Sequence, residues 1–142
     1  MPGTFQLEIA TPERLLVNEP ATDVQIPAKN GYLGILPGHA AMLSELATGF
    51  LSYAADSRRR YLSIHGGFVE VTPDRVRILA SKAERAEEID VERAREALRN
   101  AQQQLASPGV GADPAVALAM IESAEARLQA AAQNQEENTP SR

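Results

Sequence analysis

Hydrophobic and polar side chains alternate over the first eighty or so positions. Phe5, Leu7 and Ile9 are separated by Gln6 and Glu8, and Val76 and Ile78 by Arg77. A period of two puts one set on each side of an extended backbone, so these runs predict strands with one buried and one wet face. Short apolar runs at 15–17, 24–26, 33–36, 51–54, 61–64 and 68–71 predict more strands. Turn chemistry falls between them: Thr11-Pro12, Asn18-Glu19-Pro20, Lys29-Asn30-Gly31, Pro37-Gly38, residues 55–59, Gly66-Gly67 and Thr72-Pro73-Asp74. The gaps are too short for helical crossovers, which excludes a parallel α/β sheet and leaves a sandwich or flattened barrel. Residues 40–46 read as a brief helical turn.

Beyond Ala80 the period changes. Val91, Ala94, Leu98, Ala101 and Leu105 step by three and four, which places all five on one helical face. Asp90 precedes them as an N-cap, and Ser107-Pro108-Gly109 stops the helix. Asp113-Pro114 starts a second helix, whose stripe is Ala117, Ile121, Ala124, Leu128 and Ala131. Two matching stripes joined by a short connection predict an antiparallel pair. Five of these ten seam positions are Ala. At about 0.8 kcal/mol per buried methyl-sized group, such a seam holds far less than a Leu seam. The expectation is a pair of locally good helices that opens and moves readily. Residues 134–142 are polar and include Pro140, and read as a disordered tail.

Composition narrows the chemistry. Aromatics are 4% of the 142 residues and Trp is absent, so aliphatic side chains must build the core. The net charge is −5, and it is uneven: residues 1–84 carry 8 basic and 9 acidic groups, residues 85–142 carry 6 and 10. An acidic chain is a poor ligand for nucleic acid, whose affinity comes largely from neutralised phosphates. With no cysteine there are no disulfides and no thiol chemistry. The N-terminal residues lack a basic flank before an apolar core, so no signal peptide is expected. No apolar run reaches membrane-spanning length.

No catalytic constellation and no metal set emerges. His39 and His65 are the only histidines, and neither has a helical partner at ligand spacing. The glycines of residues 31–38 lack the Lys-Ser/Thr of a phosphate loop. Arg58-Arg59-Arg60 reads as a solvated tip between two strands. A small hydrolase built on His39 or His65 is a weak alternative. A free-standing binding module with a helical oligomerisation tail is a better one.

The run Gly31-Tyr32-Leu33-Gly34-Ile35-Leu36-Pro37-Gly38-His39-Ala40, followed by Leu43 and Gly49, resembles the principal motif of the ε subunit of F-type ATP synthases. Gly66-Gly67-Phe68-Val69-Glu70-Val71, followed by Val76-Arg77-Ile78-Leu79, resembles that family's second motif. The resemblance spans about residues 3–133. It implies an all-β N-terminal sandwich of two packed antiparallel sheets (residues 1–84) and a C-terminal antiparallel two-helix hairpin (residues 85–133), followed by the tail (residues 134–142).

The implied protein is a non-catalytic rotor subunit that couples proton-driven rotation of the c-subunit ring to the γ shaft. It would sit peripherally on the cytoplasmic face of the cell (inner) membrane. Lys29, Asn30, Gly31, Tyr32 and Leu33 are expected to face the ring, and His39 to lie near γ. The hairpin is expected to fold on the sandwich, or to extend into the α/β catalytic hexamer and restrain hydrolysis. Ile89-Asp90-Val91-Glu92-Arg93-Ala94 matches the family's ATP-binding I-D-x-x-R-A motif, so Glu84, Ile89, Asp90, Arg93, Ala94 and Arg127 are candidates for regulatory ATP; no other cofactor is expected. A plainer reading of the same run is an N-cap followed by a surface Arg. Arg127 is the only basic residue of the second helix, which implies weak ATP affinity and weak inhibition.

Overall fold

The computed structural model describes residues 3–139. Seven strands come first: β1 (Phe5–Ala10), β2 (Leu15–Ala21), β3 (Asp23–Ala28), β4 (Gly31–Ile35), β5 (Met42–Ala55), β6 (Arg58–Thr72) and β7 (Arg75–Arg85). A single 3-10 turn, Ala86–Glu88, leads to helices α1 (Val91–Ala106) and α2 (Pro114–Glu137).

The strands are hydrogen-bonded in the order β2-β1-β7-β6-β5-β3-β4. This ribbon folds over on itself. β2, at one end of the order, packs against β5, and the Tyr53 hydroxyl donates to the Glu19 carboxylate across that gap at 2.7 Å. Side chains from all seven strands meet in one core, which includes Leu7, Ile26, Leu51, Leu62, Ile64 and Ile78. The expected β-sandwich is present, with two corrections. Its layers belong to one continuous sheet, and β1 runs parallel to β7. The long excursion through β2–β6 supplies the connection that a parallel pair needs.

The longest strands bend where their burial changes phase. In β6 the core receives Leu62 and Ile64 before Gly66-Gly67, and Val69 and Val71 after it. In β5 it receives Leu46 before the bend and Leu51, Tyr53 and Ala55 after it. The pairing register passes over Ala47, Gly66 and Ser81, which lie abreast in β5, β6 and β7. Gly67 has φ 119°, and a Cβ there would sit 2.1 Å from the Leu79 carbonyl oxygen. Glycine is therefore required on two counts. The pair bends the strand without ending it, so the runs at 61–64 and 68–71 are one strand.

Residues 40–46, expected as a helical turn, are largely strand. Exposed Leu43 and Glu45 alternate with half-buried Ser44 and buried Leu46, and the segment pairs with β6 at Leu43–Glu70 and Glu45–Phe68. Cross-strand pairing overrides the local preference here. The Arg triplet is likewise not a solvated tip throughout. Arg59 grips Asp23 with two hydrogen bonds (2.7 and 3.1 Å) and donates Nε–H to Ser52 at 3.1 Å.

Both helix starts are capped: Asp90, as expected, accepts from Arg93 N–H at 3.1 Å, and Asp113, at the expected second start, accepts from Ala115 N–H at 2.9 Å. The helices pack on each other, and α2 also lies across the outer side of β5 and β6. Every fully buried helical side chain among the described residues is Ala: Ala94, Ala101, Ala117, Ala124, Ala126 and Ala130. The larger seam residues Val91, Leu98, Ile121 and Leu128 are only half buried, and Leu105 is exposed. Ala126 and Ala130 lie off the predicted stripe; Ala130 docks on the sandwich beside Tyr61, Ala86 and Ile89. That docking carries α2 through Glu137, so residues 134–137, expected as disordered, are helical. Pro140, Ser141 and Arg142 of the expected tail lie outside the described residues.

Candidate functional site

The bend divides the outside of the sandwich into two faces with different fates. Before it, β6 turns Tyr61, Ser63 and His65 outward, beside Ser52, Phe50 and Thr48 of β5 and beside Glu84 and Lys82 of β7. α2 covers this face. Phe50, Tyr61, Ala86, Ile89, Ala130 and Ala131 form a small second apolar cluster at one end of the contact. Burial, together with the nearby Glu137 carboxylate, raises the Tyr61 pKa. Farther along, Arg127 Nε–H donates to Glu84 at 2.7 Å, with a weaker second bond at 3.4 Å.

On the other side of the bend the outward side chains of β5, β6 and β7 are uncovered. Leu43 is 72% exposed, Phe68 56% and Leu79 55%. Phe68 sits directly opposite Leu79, and Leu43 is diagonal to Phe68 through the Leu43–Glu70 and Glu45–Phe68 pairs. Facing and diagonal neighbours lie within about 5 and 8 Å, so the three form one strip. Beside it Glu8 accepts from Arg77 at 2.9 Å and pairs with Arg75 at 3.4 Å. An apolar strip bordered by satisfied charges is the make-up of an interaction surface. The alternation at 68–71 already places Phe68 on the polar phase, which is the signal that could have found it.

Lys29 and Asn30 form the two-residue turn between β3 and β4, with Gly31 at φ 117°. Lys29 is ion-paired with Glu45 at 3.0 Å. The Tyr32 hydroxyl donates to the Phe50 carbonyl at 2.8 Å, and its ring leans on Phe50 with centroids 5.6 Å apart. Gly49 makes room for this, since a Cβ there would meet that hydroxyl at 3.0 Å. Leu33 packs on the main core. His39 lies past the far end of β4, in a loop tied to the β6–β7 turn by Gly38 N–H and the Pro73 carbonyl (2.9 Å). Lys29–Leu33 and His39 thus lie toward opposite ends of β4.

Of the six residues proposed for ATP, Glu84 and Arg127 are together, but as each other's partners. Ile89 belongs to the apolar cluster under α2. Asp90 is the α1 N-cap, and Ala94 is fully buried. The Arg93 side chain is exposed, and among the described residues its guanidinium makes no ion pair.

His65 Nε2 lies 3.3 Å from the Ser63 hydroxyl. This is not a nucleophile and its base: Ser63 is fully buried, and His65 Nδ1 has no partner to orient the ring. Among the described residues no group of His, Asp or Glu could hold a metal ion, and no helix is long and apolar enough to cross a membrane.

A sandwich with one bare apolar face and one face under a lightly packed helical pair defines a class of docking subunit. Comparison with known proteins gives that class its family. The beta-sandwich domain of the ATP synthase Delta/Epsilon chain matches residues 4–86, and the long alpha-helix domain of the same chain matches residues 87–132. The chain is 56% identical over 128 residues to the ATP synthase epsilon chain of Solibacter usitatus, covering 90% of this chain and 96% of the relative. It is 43% identical over 130 residues to that of Moorella thermoacetica, covering 91% and 97%. Among solved structures it is similar to a chain of the Euglena gracilis mitochondrial ATP synthase OSCP/F1/c-ring assembly, with TM-score 0.81, 29% identity and coverage of 93% and 83%. A chain of the Tetrahymena thermophila mitochondrial central stalk/c-ring shares the fold at TM-score 0.55 and 14% identity, with coverage of 92% and 95%. The chain belongs to the Delta/Epsilon chain family of ATP synthases, a family of accessory rather than catalytic subunits.

Proposed function

We propose that the chain works as the central-stalk ε subunit of an F-type ATP synthase, linking c-ring rotation to the γ subunit. The observation that carries this is the bare strip of Leu43, Phe68 and Leu79, whose apolar area has no cover among the described residues. On this reading the strip docks on γ, with His39 at its margin. Lys29, Asn30, Gly31, Tyr32 and Leu33 then face the c-ring, where the β3–β4 turn projects from the sandwich. The subunit is held at the cytoplasmic face of the cell membrane through these partners. The paired charge double substitution Phe68→Asp/Leu79→Asp tests the docking. A tagged wild-type chain should bring down γ and c subunits from solubilised membranes, and the folded variant should not. Equal recovery by both would overturn the reading.

The hairpin is the regulatory part of the proposal. Folded, it covers the face carrying Tyr61 and Glu84; released, it reaches the α/β hexamer and restrains hydrolysis weakly. ATP would bind the folded form at Arg93 and Arg127, with Glu84, Asp90, Ile89 and Ala94 around it. The affinity is low, because binding at Arg127 must displace Glu84. Millimolar ATP should raise the hairpin's melting midpoint slightly; no change would remove ATP from the account.

A further inference from the structure

Between the sandwich and α2 lies a cleft of about 450 Å³, lined by Glu13, His65, Lys82, Glu84, Ser123 and Arg127 among others. His65 is the group there with no settled role. Its Nδ1 is buried without a hydrogen-bond partner, and its Nε2 has only the Ser63 hydroxyl at 3.3 Å. A buried polar atom left without a partner calls for an explanation. α2 supplies one wall of the cleft through Ser123 and Arg127, so lifting α2 returns the imidazole to water.

We propose that His65 makes docking of the hairpin pH-sensitive: α2 closes over a neutral imidazole, and protonation of that ring favours release. The charges around the ring give the direction. β7 presents Lys82 and Glu84, α2 presents Arg127, the β1–β2 loop presents Glu13, and β5 places Thr48 opposite. Glu84, the carboxylate that favours the imidazolium, is already engaged by Arg127. Burial foremost, then the Arg127 and Lys82 cations, lower the His65 pKa against the pull of Glu84. Lifting α2 removes most of that burial and the Arg127 cation, so in the open state the pKa moves back up toward the ordinary imidazole value of 6.5. The open state therefore binds the proton more readily. Preference for the closed state is complete above that value and declines as pH falls through it toward the lowered closed-state pKa. The device uses only the chain's own groups and does not require nucleotide.

The test uses the full chain, whose lack of cysteine allows clean labelling. Fluorophores at Gln25→Cys and Ala112→Cys report closure between pH 7.5 and 5.0. The closed-to-open ratio should fall on acidification, by up to about tenfold for each unit separating the two His65 pKa values. His65→Gln keeps a hydrogen-bonding group near Ser63 and should give a flat profile. A flat wild-type profile, or an H65Q profile with the wild-type slope, would overturn the proposal. A second readout does not depend on that variant folding. The NMR titration of the His65 ring should have its midpoint below 6.5 in the wild type and move up toward it in Ala130→Asp, which undocks α2. A midpoint at or above 6.5 in the wild type, or no movement in A130D, would overturn it equally.

Discussion

The two outer faces of the sandwich are built on the same three strands, yet one is covered and the other bare. The covered face carries Phe50 and Tyr61, with Glu84 and His65 among them, and its cover is a helix that buries only alanines completely. The bare face carries Leu43, Phe68 and Leu79, which nothing among the described residues covers from outside. Strong apolar surface left uncovered suits a lasting contact with another subunit. Weak apolar contact within the chain suits a part that must detach. The difference follows from the small side chains that α2 brings to its contact and from the bend at Gly66-Gly67, which assigns successive stretches of each strand to different faces.

The severest way to break this comparison is Gly67→Ala. The added Cβ meets the Leu79 backbone at 2.1 Å in a left-handed conformation, so a loss of at least about 3 kcal/mol is expected in urea unfolding. Ala130→Asp comes next. It places a carboxylate against Tyr61 and Ile89 and should weaken α2 docking by about 2–3 kcal/mol while the sandwich melts nearly as before. Hydrogen exchange resolved by segment would separate the two effects. Glu84→Gln should cost about 1 kcal/mol or less, since the Arg127–Glu84 pair keeps 21% and 32% of its side chains exposed. A double-mutant cycle with Arg127→Ala would isolate the coupling. The smallest effect on the free chain belongs to Phe68→Ser, within about 0.5 kcal/mol. The same substitution should weaken capture of the rest of the enzyme far more, and that contrast would sharpen the comparison most.

Much of this was legible in the residues. Alternation at Phe5, Leu7 and Ile9 and at Val76 and Ile78 marks the core face correctly, because a strand's period is fixed by its backbone. The caps at Asp90 and Asp113 and the α1–α2 seam are equally local signals. Features that depend on contacts distant in sequence were not legible. The phase change in β5 and β6 is set by Gly67 lying against β7, and it made β6 look like two strands and β5 like a helical turn followed by a strand. The second face of α2, at Ala130, shows only once Tyr61 is beneath it. Composition hides such a face, because alanine reads the same on either side of a helix. Of the candidate site, Glu84 and Arg127 proved neighbours, and His39 and Lys29–Leu33 lie toward opposite ends of β4. The bare strip was half visible, as Phe68 on a polar phase, but only the pairing with Leu79 makes it a surface.

The most direct test of the account is hydrogen exchange measured on the chain alone and in the assembled enzyme. In the free chain α2 should exchange faster than the sandwich core. On assembly the stretches around Leu43, Phe68 and Leu79 should gain protection. Uniformly slow exchange across helices and strands, or assembly that leaves the Leu43–Phe68–Leu79 strip unprotected, would contradict it.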